Sequence, residues 1–238
     1  MRVGRRERAL ISSKRDGCVD RELPIEQFPA LISQSGVRHC FTRRVPGIDV
    51  KADKAEALRR LDACHRDIRV QLSLGDMPFV TAQQVHGNGI GVIDHALGGD
   101  HCFDQCDGLV TNQRGVCLGI YVADCCAVYL VDPVRRAIGL VHSGKKGTEL
   151  GIAVNAIELM EQRFGSRPAD LIVQLSPCIR PPHYELDFAA EIVRAVKARG
   201  VEQVNDCRVC TACDLDRYYS YRVEKGRTGR MLALLAIT

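Results

Sequence analysis

Residues 108–133, GLVTNQRGVCLGIYVADCCAVYLVDP, carry three apolar, β-branched runs in close succession, at 108–111, 116–122 and 127–131. Short runs rich in Val, Ile, Leu and Tyr suit a pleated, half-buried surface, so each reads as a strand. Moving outward, the runs at 68–74, 79–85, 137–141 and 171–175 have the same character and read as further strands. Helical spacing appears three times. One helix starts near Asp53, with Glu56 three residues on as a capping-box-like pair, and carries Leu58, Leu61 and Cys64 on one face. A second carries Leu150, Ala153, Val154, Ile157, Met160 and Phe164 and stops at Gly165 and Pro168. A third begins at Asp187, buries Phe188, Ile192 and Val196, and ends at Gly200. Strands outnumber helices and do not alternate strictly with them, which argues against a doubly wound parallel sheet and for an α+β fold with mixed sheets.

With 46% hydrophobic and 26% charged side chains in 238 residues, the chain can build an ordinary globular core. No linker, internal repeat or low-complexity tract divides it, so residues 24–238 read as one catalytic domain behind a basic extension, 1–23. A formal charge of +4 is small for this length and does not call for nucleic acid. The basic start has no apolar signal segment and no run approaches a membrane span, so a cytoplasmic protein without membrane partners is expected. Twelve cysteines in such a chain read as reduced thiols rather than a disulfide framework. Cys207, Cys210 and Cys213 form a CxxCxxC run that lacks an evident fourth ligand, with Cys102, Cys106 and Cys178 the available donors, and read as free thiols.

Three separated segments carry the chemistry: TAQQVHGNG around His86, YVADCCAVYLVDP around Cys125 and IGLVHSGKKG around His142. Each sets a soft or borderline metal ligand at the end of an apolar run. Two imidazoles and one thiolate make an incomplete zinc shell, whose fourth position would stay open for water or substrate. Asp124 adjoins Cys125, and neighbouring side chains of a strand point to opposite faces, so it is not expected to ligate.

The segments QVHG, CDGLVTNQRGVCLGIYVADCCAVYLVDP, GLVHSGKKG, LSPCIRPPHYELD and CTACDLDRYYSYRVEKGRTGRMLALL, with FTRR at 41–44, follow one another in the order seen in the laccase-domain family. That family is also known for multicopper polyphenol oxidases and peptidoglycan editing factors, and the resemblance spans residues 24–238. It implies a layered sandwich of mixed sheets flanked by helices, like that of cysteine hydrolases. It implies a zinc site at His86, Cys125 and His142, with copper as the alternative ion. It also implies action on purine nucleosides, by phosphorolysis or by adenosine deamination.

Deamination would use hydroxide generated at zinc, which lowers the pKa of water from about 15.7 to about 7. Phosphorolysis needs in addition a cationic phosphate pocket, for which Arg43, Arg44, Lys145, Lys146 and Arg222 are the candidates. Arg43 and Arg44 lead, because FTRR matches the family, and Arg43 joins Cys125 and His142 in the expected catalytic set. A turn after His142 into the following helix would bring its N-terminus and both lysines near the metal. His183 in PPHYELD is the histidine available to protonate a departing base, though beside two prolines it reads as a loop residue. Relatives carry AGWRG where this chain has Ser143, Gly144, Lys145, Lys146 and Gly147, so stacking on a purine and bidentate anion contact should both weaken. The expected partners are a purine nucleoside and phosphate, with the chain monomeric or weakly dimeric. Competing readings are a metal-free cysteine hydrolase with Cys125 as nucleophile, His142 as base and His86 orienting it, a non-catalytic binding protein, and a copper oxidase. Three ligands cannot hold the four coppers of the last.

Overall fold

The computed structural model describes residues 23–238, so the reading of 1–23 as a basic extension falls almost wholly outside the described residues. In chain order the elements are β1 (Ile25–Glu26), α1 (Pro29–Ile32), β2 (Val37–Thr42), α2 (Lys54–Gln71), β3 (Phe79–Ala82), β4 (Ile90–Ile93), β5 (His101–Phe103) and β6 (Gly108–Thr111). There follow β7 (Cys117–Val122), β8 (Cys126–Asp132), β9 (Ala137–Ser143), α3 (Lys145–Glu149), α4 (Ile152–Phe164), β10 (Ile172–Leu175), α5 (Phe188–Ala198), β11 (Gln203–Asp206) and β12 (Met231–Ile237).

They form two mixed sheets, ordered β1-β2-β12-β7-β3-β5 and β11-β10-β8-β9-β6-β4. Both have parallel and antiparallel pairs: β3 runs parallel to β5 and β7, whereas β12 is antiparallel to β2 and β7. The period-2 alternation of strands sorts the side chains into layers. From β8, Ala127, Tyr129 and Val131 enter the core between the sheets, and Cys126, Val128 and Leu130 pack beneath α4 and α5. From β12, Met231, Ala233 and Leu235 join the central core, while Leu232, Leu234 and Ala236 pack on the other face with Ile68 and Leu74. The expected sandwich of mixed sheets with outer helices is therefore the observed one. Across the central core the buried Tyr129 hydroxyl donates to the Cys40 carbonyl at 2.7 Å, linking β8 of one sheet to β2 of the other.

The helix expected from Asp53 is present, and the Asp53 carboxylate accepts the Glu56 N–H at 3.0 Å. It is longer than read. Residues 68–71, taken as the start of a strand, are its last turn, because Ile68 completes a stripe with Ala57, Leu61 and His65 at helical spacing. The helix read from Leu150 starts two residues later: a separate short α3 ends at Glu149, Gly151 takes φ 69°, and α4 runs from Ile152 to Phe164. α5 agrees with the reading, with Asp187 capping Ala190 N–H at 3.0 Å. Strand β12, which the sequence reading left unassigned, lies at the centre of its sheet. A run that is apolar on both faces has no period to reveal it. Among the described residues no helix is long and apolar enough to cross a membrane.

Two buried histidines give the fold a pH signature. Burial lowers the pKa of His39, which accepts the Phe28 N–H at 2.7 Å, and that of His65, each to about 4 from an ordinary 6.5. Below pH 6.5 the unfolded chain takes up protons that the folded chain refuses, so stability falls as pH drops towards about 4. Each histidine contributes up to about 1.4 kcal/mol per pH unit over that interval. Denaturant unfolding across this range is expected to show the decline, with a shallower slope in His65→Leu; an identical slope in the variant would remove His65 from the account.

Candidate metal centre and its cavity

The connection from β7 to β8 carries the chain from one sheet to the other, and Cys125 sits in it. In the β8–β9 ladder Ala127 pairs with His142 and Cys126 with Ser143, so Cys125 comes next, opposite Gly144. A Cβ at Gly144 would lie 2.4 Å from the Cys125 sulfur, so no larger residue fits there with the thiol in place. His86 follows β3 in a loop whose Gln84 and His86 take φ of 63° and 59°. The buried Gln84 side chain holds that loop against β7, donating to the Tyr121 carbonyl at 2.6 Å and accepting the Tyr121 N–H at 3.0 Å.

The ligating atoms of His86, Cys125 and His142 all lie within 4.8 Å of one another. The two imidazoles meet edge to face, with ring centroids 4.9 Å apart. One further residue organises them. The fully buried Asp107 carboxylate accepts the main-chain N–H groups of Val85, His86 and Gly87 at 3.1, 2.9 and 2.7 Å and contacts His142 Nδ1 at 2.9 Å. Burial works against a charged His142, but the Cys125 thiolate and the Asp107 hydrogen bond raise its pKa to about 9, and with Nδ1 held by Asp107 it is Nε2 that would lose its proton to take a metal. Burial works against ionisation of Asp107, but the hydrogen bonds from His142 and from the Gly87 and His86 amides hold its pKa at about 2. Burial likewise opposes a thiolate at Cys125, yet the charge of His142 and the hydrogen bonds of both histidines lower its pKa to about 6. This donor set suits a borderline divalent ion: a ready thiolate, two imidazoles, and a carboxylate behind one of them. Asp124, as expected, turns elsewhere. Its carboxylate accepts from Thr211 Oγ1 and from the Arg222 N–H, both at 2.8 Å.

The three residues open onto a cavity of about 800 Å³, within the range usual for small-molecule sites. Its lining includes Lys54, Lys145, Lys146, Arg222, Lys225 and Arg230 against the acids Asp124 and Glu149. Among the described residues no carboxylate lies within 4.0 Å of a lysine nitrogen. Burial and the neighbouring Arg230 charge lower the Lys54 pKa. Aromatic surface comes from Tyr121, Tyr184, Phe188 and Tyr221. Lys145 and Lys146 form the first turn of α3, capped by Gly144.

Of the expected phosphate ligands, Lys145, Lys146 and Arg222 line this cavity, but Arg43 and Arg44 do not. Arg44 is spent on the Tyr218 carbonyl and on Glu224, at 3.0 and 2.8 Å, and stacks over Tyr219. Arg43 donates to the Leu23 carbonyl at 3.3 Å. Their side chains are held by the Leu23 and Tyr218 carbonyls and by Glu224, away from the cavity lining in which the sequence places their expected role. His183 also lies outside the cavity lining, against Cys210 and Cys213. The reading missed Asp107, Lys54 and Arg230. A ligating histidine calls for an acceptor behind it, but nothing in the sequence says which carboxylate provides it.

Replacing Asp107 by Asn keeps the shape but turns one acceptor into a donor facing N–H groups. Zinc affinity, measured by competition with a chromophoric chelator, is expected to fall about 10- to 100-fold. Unchanged affinity would mean that Asp107 does not orient His142 for a metal.

The profile of the family described as multi-copper polyphenol oxidoreductase laccase matches residues 47–194 and 183–238. A Geobacillus stearothermophilus protein named purine nucleoside phosphorylase YlmD is 29% identical over 195 residues, covering 66% of this chain and 71% of its own. A Corynebacterium glutamicum protein, also named a purine nucleoside phosphorylase, is 30% identical over 190 residues, covering 69% and 76%. The crystal structure of YlmD from Geobacillus stearothermophilus superposes with a TM-score of 0.76 at 23% identity, over 91% of this chain and 99% of that one. A Bacillus licheniformis structure described as hypothetical protein YfiH superposes with a TM-score of 0.75 at 23% identity, over 87% and 94%. This chain belongs to the multi-copper polyphenol oxidoreductase laccase family.

Proposed function

We propose that the protein is a zinc-dependent purine nucleoside phosphorylase, with His86, Cys125 and His142 holding the ion. The observation that carries this reading is the joining of that donor set with a cation-rich, aromatic-walled cavity. The names of the relatives from Geobacillus stearothermophilus and Corynebacterium glutamicum support the same class of substrate. When bound, zinc would supply Lewis acidity toward an oxygen of the substrate.

The chain's own residues would do the rest. Lys54, Lys145, Lys146 and Arg230, all in the cavity lining, would attract phosphate and hold it beside the sugar. Stacking on Tyr184 or Tyr221 orients the base, worth roughly 1 to 3 kcal/mol per stacked ring in nucleic-acid sites. Phosphorolysis would then form a bond from a hydrogen phosphate oxygen to the ribose C1′ as the glycosidic bond breaks, its electron pair leaving with the base, which takes up the proton that the phosphate gives up. Holding both reactants in one cavity replaces a bimolecular encounter by a positioned one.

A second reading has its own observation. Cys125, His142 and Asp107 form a thiol, imidazole and carboxylate series, with Asp107 in the orienting place that the sequence suggested for His86. Such a series serves a metal-free cysteine hydrolase. Metal content of untagged protein separates the two. About one equivalent of zinc, lost in Cys125→Ser, is expected here; full activity in thoroughly chelated protein would favour the hydrolase.

The reaction itself is tested by incubating adenosine and inosine with and without phosphate and reading the products by mass. Phosphate-dependent ribose 1-phosphate is the expected product, and loss of ammonia alone would indicate deamination instead. Charge-assisted contacts contribute about 1.5 to 3 kcal/mol each, so replacing Lys145 and Lys146 together by alanine should raise the KM for phosphate about tenfold or more. The KM for nucleoside should change far less. An equal rise in both would remove the lysines from the phosphate site.

A further inference from the structure

The second group of soft ligands lies outside the cavity. The chain from Cys178 to Tyr184 runs beside the segment from Val209 to Cys213. Cys178 N–H donates to the Val209 carbonyl and Thr211 N–H to the Cys178 carbonyl, both at 3.2 Å. This pairing sets His183 against the short helical turn Thr211–Cys213. His183 Nδ1 lies 3.8 Å from Cys210 Sγ and 3.5 Å from Cys213 Sγ, and all three ligating atoms fall within 4.8 Å of one another.

Those separations have a chemical meaning. A tetrahedral ion with metal–sulfur bonds of about 2.3 Å and a metal–nitrogen bond of about 2.0 to 2.1 Å keeps a nitrogen and a sulfur ligand about 3.6 Å apart. The observed 3.5 and 3.8 Å bracket that value. His183 and Cys213 are exposed and Cys210 is partly so, leaving an approach for an ion and a place for water as fourth ligand. Cys207, the first cysteine of the CxxCxxC run, stands apart and lines a different cavity with Arg180 and Asp206. The sequence alone left these cysteines as free thiols for want of a further ligand. The fold supplies the imidazole.

We propose that His183, Cys210 and Cys213 form a second binding site for a thiophilic divalent ion of the zinc class, separate from the site at His86, Cys125 and His142. An ion there would clasp the loop bearing Tyr184 to the turn whose Thr211 holds Asp124, and so join two walls of the cavity.

The test uses full-length Cys125→Ala protein, in which the first site has lost its thiolate, kept under a phosphine reductant so that Cys210 and Cys213 cannot form a disulfide. Titration with cobalt(II) is expected to bind one equivalent with a thiolate-to-cobalt charge-transfer band, and zinc(II) should displace it. Adding Cys213→Ser or His183→Ala, both at exposed positions, should each abolish or strongly weaken that band while thermal unfolding in the absence of metal stays unchanged. Absence of the band in Cys125→Ala protein, or its persistence undiminished in both double variants, would overturn the proposal. Wild-type protein titrated in parallel reports on the first site separately. A wild-type stoichiometry of two falling to one in Cys125→Ala supports both sites, whereas one equivalent in each protein, sensitive to Cys213→Ser, would sink only the reading of Cys125 as a ligand.

Discussion

The candidate centre depends on one buried carboxylate. Asp107 gathers three successive main-chain N–H groups from the loop that presents His86 and accepts a hydrogen bond from Nδ1 of His142 on the neighbouring strand. An isolated carboxylate in such a place would be costly, and full hydrogen bonding is what makes it tolerable. The same bonds fix the loop shape, the tautomer of His142 and the distance between the imidazoles. Cys125 is then positioned from the other side by the β8–β9 register and by the absence of a side chain at Gly144.

The two-sheet architecture explains why these groups meet at all. β7 and β8 are consecutive in the chain yet belong to different sheets, so the connection between them bridges the edge of the central core. Cys125 occupies that bridge. His86 leaves β3 in the first sheet, while His142 lies at the end of β9 in the second. The centre is a seam between sheets, and the rigidity of both is transmitted to it through strands packed on both faces.

The cavity shows how charge placement can mislead when it is read along the chain. Arg43 and Arg44 stand in a family-like block, but their guanidinium groups are directed to the carbonyls of Leu23 and Tyr218 and to Glu224. Lys54 and Arg230 carry no local signal and yet line the cavity, because the start of α2 and the approach to β12 converge there. The cavity's aromatic surface includes Tyr184 and Tyr221, both distant in sequence from His142.

Much was nevertheless legible in the residues themselves. The strands around Cys125 and His142, the caps at Asp53 and Asp187 and the mixed-sheet class follow from local pattern, since alternation and capping act over a few residues; the three soft ligands were singled out with the help of the family resemblance. Continuous apolar runs were ambiguous for the same reason: residues 68–71 complete a helical stripe and 231–237 form a central strand, and burial on both faces leaves no period to separate such cases. What the tertiary structure alone decided were the partners distant in sequence. Asp107 behind His142, His183 beside Cys210 and Cys213, and Lys54 near Arg230 in the cavity lining are products of strand order and packing, which no local spacing encodes.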